Sequence, residues 1–273
     1  MKKICFLFAI VFTSSTFAQQ DLINYFLNTK YNLKTFNIKG NVKQIKEMRG
    51  KSVGLGYIST NYYIYDFDKK GNLIRETFYE NKMKDENNTI KAYTYDAKNR
   101  LTHINVKQNN TSIEKYDFAY TKKGYLSTIT YYELAKNENT YYSINWKKNK
   151  PISYVIKDTN HNVLFKSSNH KFDKNNNVIK MDFNEENELG TQIMKYDKDN
   201  HMLSIEYLFN ATPADNFKEE YTFNKYNDKQ TKIEDGKIVK YKYSEYDKHN
   251  NWHKLDYYDY SLQTHHKREF TYY

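Results

Sequence analysis

A seven-residue frame recurs nine times along this chain and limits what it can fold into. It begins at Phe36 (FNIKGNV) and returns as FDKKGNL from Phe67, YDAKNRL from Tyr95 and YTKKGYL from Tyr120. WKKNKPI from Trp146, FDKNNNV from Phe172, YDKDNHM from Tyr196, FNKYNDK from Phe223 and YDKHNNW from Tyr246 complete the series. The eight intervals give a mean spacing of about 26 residues, enough for one hairpin and its connection.

Each position in the frame has a physical reason. The first is aromatic in all nine copies and ends a strand. The second is Asp or Asn in seven, where a short acceptor side chain can take backbone N–H groups and start a turn. The fifth is Gly or Asn in all nine, at Gly40, Gly71, Asn99, Gly124, Asn149, Asn176, Asn200, Asn227 and Asn250. Those residue types tolerate positive φ. Asp followed three residues later by a left-handed residue fits a type I turn with a G1 bulge. The seventh position is usually apolar and opens the return strand.

The flanking segments alternate with period 2, as in Tyr63-Tyr65-Phe67, Tyr116-Phe118-Tyr120 and Leu203-Ile205-Tyr207, which places each set on one face of a strand. Arg75, Lys157 and Glu206 mark the strands as partly wet. The expectation is an all-β chain of about nine tandem antiparallel β-hairpin repeats, roughly eighteen strands, in one curved or spiralling sheet. Polar stretches at Glu80–Thr89, Ala135–Thr140, Asp158–Asn162 and Ala211–Asn216 read as connections between hairpins, and Pro151 reads as a turn residue.

An aromatic-Asp pair, Gly or Asn three residues on, and an apolar return strand resemble the YD repeat of RHS-type proteins. The resemblance covers roughly residues 36–273. It implies a sheet that winds into an open roll or spiral shell, and an association with carbohydrate binding. The long members enclose a cargo; this chain shows neither a toxin domain nor a protease-like core motif, and nine hairpins are few for a shell.

The start of the chain reads differently. Lys2 and Lys3 precede the apolar run Ile4–Phe12, and Thr16-Phe17-Ala18 ends in a small residue. This predicts a secretory signal peptide over 1–18, a short helix or cap over 19–35, and a repeat domain over 36–273. The single Cys5 falls inside the leader, so the exported chain must hold its core without disulfides. Loss of Lys2 and Lys3 lowers the formal charge from +10 to +8, with Lys spread along the chain and no dense basic block. No transmembrane helix and no specific nucleic-acid partner are expected.

No constellation reads as catalytic. His249 and His253 are four apart, but a turn and a strand do not bring them together as a helix would, and His265-His266 share no metal motif with them. No metal and no cofactor is expected. His170 occupies an aromatic slot beside Phe172 and reads as a packing residue. Glu185-Glu186 and Glu219-Glu220 are neighbours on strands and point to opposite faces. Asp68, Asp96, Asp173, Asp197 and Asp247 recur because the turn needs them.

The leading functional expectation is a secreted, non-enzymatic binding or scaffold protein, periplasmic or extracellular, taking a polysaccharide or a cell-surface protein. An outer-membrane β-barrel is the alternative, favoured by the leader, the even strand number, the many Tyr and the ending Phe270-Thr271-Tyr272-Tyr273. Against it, Ile74-Glu76-Phe78 and Leu73-Arg75-Thr77 each put a charge mid-strand, where lipid would demand an apolar band. A glycan-active enzyme is the third possibility.

Overall fold

The computed structural model describes residue 33 and residues 36–273 apart from 54–55, 82–87, 186–187, 235 and 260–261. The leader at 1–18 and nearly all of the expected cap at 19–35 lie outside these residues.

Eighteen antiparallel strands follow one another as a meander, each hydrogen-bonded to the next. The first, β1 (Val42–Val53), also pairs with the last, β18 (Leu262–Tyr272), in register from Val42–Tyr272 to Ser52–Gln263. The sheet is therefore a closed barrel. The open roll or spiral expected from the repeat is corrected on this point. Closure leaves no unpaired edge, which removes the hazard of an exposed strand.

β2 (Gly56–Phe67) to β3 (Leu73–Glu80) shows how the frame folds. Asp68 Oδ1 accepts the N–H groups of Lys70 (2.8 Å) and Asn72 (2.9 Å), and Gly71 N donates to Asp68 O (2.9 Å). Gly71 has φ +80°. Asp96, Asp173, Asp197 and Asp247 make the same pair of bonds to the residues two and four further on. All nine fifth-position residues adopt positive φ, between 62° and 88°.

Two copies depart from this turn. Lys148 (φ 47°) and Asn149 (φ 66°) form a two-residue loop between β8 (Glu138–Lys147) and β9 (Lys150–Lys157), with two successive positive-φ residues as in a type I′ hairpin. Pro151 then lies in β9, paired with Trp146, and not in the turn. The first copy is no hairpin. Residues 36–41 run as a strap over one barrel end. There Asn37 Nδ2 donates to Asp228 Oδ1 (2.8 Å), and Lys39 exchanges two 2.8 Å bonds with the Asn251 amide.

One further turn of this kind lies at the opposite end. Asp158 accepts from Asn162 N (2.8 Å), His161 N donates to Asp158 O (3.0 Å), and His161 has φ 65°. Lys157 in first place and His161 in fifth hid it in sequence.

A bulge follows nearly every turn. The first-position aromatic pairs with the seventh-position residue, as in Phe67–Leu73, Tyr95–Leu101 and Tyr120–Leu126, and the register then slips by one. Ile74 is passed over, so Leu73, Glu76 and Phe78 share the inner face while Arg75 and Thr77 face out. Strict alternation across Leu73–Thr77 therefore misassigns the faces.

Every period-2 aromatic series points inward. The inner ladder Phe118–Ile129–Tyr142–Ile156–Phe165 crosses five strands with each residue no more than 8% exposed. With Ile45, Tyr65, Phe67, Leu73, Tyr154 and others it forms one buried cluster. The outer wall is polar. One ladder there reads Asp66–Arg75–Ala92–Asn105–Lys115–Tyr132, another Lys180–Ile193–Glu206–Lys218. Ion pairs such as Lys115–Asp117 (2.8 Å) and Lys218–Glu220 (2.6 Å) lie on it.

Candidate functional site

Three places hold side chains that do more than line a strand. The first is the seam. Glu47 on β1 is 2% exposed and faces the interior. Its Oε2 accepts from Arg268 Nε at 2.6 Å. Its Oε1 lies 2.6 Å from Arg49 Nε and 3.1 Å from His266 Nδ1. Arg268 stacks over Trp252 at 3.7 Å, and Arg49 over Tyr63 at 4.1 Å. Burial opposes the charge on Glu47, but Arg268, the His266 hydrogen bond and Arg49 outweigh it and hold the carboxyl far below its usual range. Every Glu47 oxygen has partners, so the cluster reads as a fastener between the first and last strands.

The second is the frame itself. Tyr95 Oη donates to Leu73 O (2.8 Å), Tyr120 Oη to Leu101 O (2.7 Å) and Trp146 Nε1 to Leu126 O (2.7 Å). His170 Nδ1 lies 2.7 Å from Pro151 O. The aromatic that ends one hairpin thus latches onto the bulged carbonyl of the hairpin before it. A ring with a polar tip does this while its body packs in the core. Amides tie neighbouring turns as well, with Asn72 Nδ2 on Asn99 Oδ1 (2.7 Å) and Asn177 Nδ2 on Asn200 Oδ1 (2.9 Å). The frame is a fastening device between repeats as well as a turn signal.

The third is a pocket of about 170 Å³ at the hairpin-turn end between β8 and β12 (Glu188–Tyr196). Trp146, Tyr154 and Tyr196 supply aromatic walls, Asn149 and Asn176 stand among its lining amides, and Met181 and Met194 are its methionines. His170 sits beside it, its ring 4.8 Å from that of Tyr154 and 6.3 Å from that of Phe172. Burial lowers its pKa, although the Pro151 carbonyl opposes the shift. A neutral ring with hydrogen on Nδ1 satisfies Pro151 O and leaves Nε2 to accept from Ser167 Oγ at 2.9 Å. His170 is a packing and positioning residue.

The structure does not assemble the other sequence candidates. His249 packs on Tyr272, His253 meets Arg268 O (2.8 Å), His265 pairs with Asp256 on the outer wall, and His266 joins Glu47 inside. Glu219 faces in toward Lys232 (2.9 Å) and Glu220 faces out toward Lys218. Asp197, Asp199 and His201 bring ligand atoms within 4.8 Å of one another. That grouping belongs to the hairpin turn, whose Asp197 carboxylate already accepts two backbone N–H groups. The pocket is not legible in sequence, because β8, β9, β11 (Val178–Glu185) and β12 meet there only after the bulges set their faces.

No family model and no curated protein matches the chain. Among solved structures it is similar to a porin-like protein from Bacteroides uniformis, at 8% identity and TM-score 0.45, over 85% of this chain and 98% of that one. It is also similar to a porin-like protein from Bacteroides vulgatus, at 10% identity and TM-score 0.32, over 84% and 98%. A TcdB2-TccC3-Cdc42 structure matches at 10% identity and TM-score 0.33, over 77% of this chain and 17% of that one.

Proposed function

We propose that the protein is a non-enzymatic closed β-barrel of the cell envelope, held at the outer membrane or cell surface, that works as a binding or scaffold module. The carrying observation is the closure of an even-stranded, nearest-neighbour meander by β1 and β18. Closure favours the barrel architecture of the outer-membrane alternative over an open secreted roll. The side chains supply the second criterion. Buried rings and aliphatics form most of the inner face, around the buried Glu47 and Gln192, whereas charged and polar side chains alternate with Ala92, Tyr132 and Ile193 on the outer wall. That distribution favours water over lipid against the wall, since a charge facing the bilayer midplane costs about 2–4 kcal/mol. The hairpin unit is read as a YD-type repeat closed on itself, and the leader at 1–18 as the export signal. A polysaccharide or a cell-surface protein is the partner class, suited to the positive net charge.

Fractionation of cells expressing the full chain tests this. The expected result is an envelope protein released by high salt or carbonate without detergent. A protein that resists both, needs detergent, and conducts in planar bilayers would assign the barrel to the membrane itself.

A further inference from the structure

We propose that the pocket between β8 and β12 is a binding site for one neutral, hydroxyl-bearing ring, the chemistry of a terminal sugar residue. It rests on the binding half of the proposed function and is independent of whether the outer wall faces water or lipid.

The lining defines the ligand. Among the described residues no Lys, Arg, Asp or Glu borders the pocket, so its lining suits an uncharged ligand. Three aromatic side chains, Trp146, Tyr154 and Tyr196, offer apolar faces to the C–H groups of a ring. The walls are fixed: Trp146 is held by Leu126 O and stacked on Tyr125 at 4.7 Å, and Tyr154 N is held by Ser167 Oγ at 3.0 Å. At the rim, the Asn149 and Asn176 amides each present a donor and an acceptor, as a ring bearing several hydroxyls requires.

One unmatched polar residue strengthens the assignment. Tyr154 is 1% exposed and lines the pocket. Gln192 is 0% exposed, and neither its Oε1 nor its Nε2 has a partner. It pairs in register with Met181 and lies two residues from Met194 on the same inner face, so it adjoins the two methionines of the pocket. Methionine is the most adaptable apolar side chain, and a shift of either would bring the Gln192 amide toward the pocket. A buried polar group left unpaired costs stability, and a ligand hydroxyl is a matching partner for the Gln192 amide.

The protein has two Trp residues, Trp146 in the pocket and Trp252 at the seam. Fluorescence titration of the exported chain with neutral methyl glycosides, repeated in W252F, reports on Trp146. The expected result is a saturable change that survives W252F, is insensitive to salt, and weakens about tenfold in Tyr154→Phe, the loss of one hydrogen bond. Asn149→Ala should act in the same direction. Gln192→Leu should weaken binding while raising the melting temperature, a combination a purely structural role would not give. No saturable change with any glycoside, or binding equal in wild type and Tyr154→Phe, would overturn the proposal. Salt-sensitive polysaccharide binding that persists in Tyr154→Phe would place recognition on the charged outer wall and overturn the pocket assignment alone.

Discussion

Arg268 on β18 donates its Nε–H to Glu47 on β1 at 2.6 Å, joining the last strand to the first inside the barrel. The two residues are also a register pair, so the ion pair and the backbone ladder close the sheet at the same point. Glu47→Gln would leave Arg49, Arg268 and His266 facing a neutral amide in a largely buried place. Breaking a buried pair by removing one partner typically costs about 3–5 kcal/mol. Glu47→Gln should therefore lower the urea midpoint strongly. Restoring shape without charge, with Glu47→Leu and Arg268→Leu together, should recover part of that loss. A midpoint unchanged in Glu47→Gln would show that backbone pairing alone closes the barrel.

The same carboxylate makes the fold sensitive to acid. The Glu47 pKa is lowered in the folded state, so its contribution is fully present above the unfolded value and is lost as pH falls toward the folded one. The turn carboxylates Asp96, held down first by Arg100, and Asp158, held down first by Asn162, shift in the same direction. Stability should begin to fall below about pH 6.5, where unfolded His takes up a proton that buried His170 resists, and fall steeply below about pH 4, where unfolded carboxylates titrate. The fall should be shallower in Glu47→Gln. Urea midpoints measured across that range would check both statements.

The latches predict a graded series. Tyr95→Phe and Tyr120→Phe each remove one hydroxyl bond to the preceding hairpin and leave the ring in place. Each should cost about 1 kcal/mol. Tyr62→Phe, on the outer wall, should be neutral within about 0.5 kcal/mol. Equal melting temperatures for all three variants would remove the latch from the account of the repeat.

These residues also show what the sequence made legible. The turn was readable because Asp68 and Gly71 each act within five residues of chain, and local chemistry leaves a local signature. Strand number followed from counting frames. Closure was not readable, since it depends on Tyr272 meeting Val42 across 230 residues of sequence. That pair takes the place that Phe67–Leu73 takes in an ordinary hairpin, so the ninth unit is divided between the first strand and the last. In sequence the first-position Tyr and Trp only mark strand ends, and their polar tips have no visible purpose until the fold sets Leu73 O and Leu126 O beside them. The His161 turn was missed because neither aromatic nor Asn marks it.

At position five, Gly71 has φ +80°, and a Cβ there would stand 3.4 Å from the Leu33 side chain. Asn tolerates this backbone and Val does not, because a β-branched side chain resists positive φ. Gly71→Val should destabilise more than Gly71→Asn, by about 1 kcal/mol or more. Thermal melts of the two variants decide it, and coincident curves would mean that the turn does not need a left-handed residue.

Gly190 on β12 gives the sharpest steric expectation. It lies opposite Phe183 on β11 (Val178–Glu185) and Phe209 on β13 (Met202–Phe209), all on the inner face. The Phe183 ring covers it and stacks edge-on against Phe209 at 5.6 Å. A Cβ added there would run into the Phe183 ring and come within 2.7 Å of the Leu208 carbonyl. The carbonyl belongs to the backbone ladder and cannot move aside, so Gly190→Ala must shift a strand or drive the ring off its rotamer. Overpacking of this kind costs about 1–3 kcal/mol. Phe183→Leu clears the ring but leaves the carbonyl, so the double variant should recover only part of the loss. A Gly190→Ala protein that melts with the wild type would mean that β12 and β13 can part here at no cost, against the tight pairing of Gly190 with Phe209.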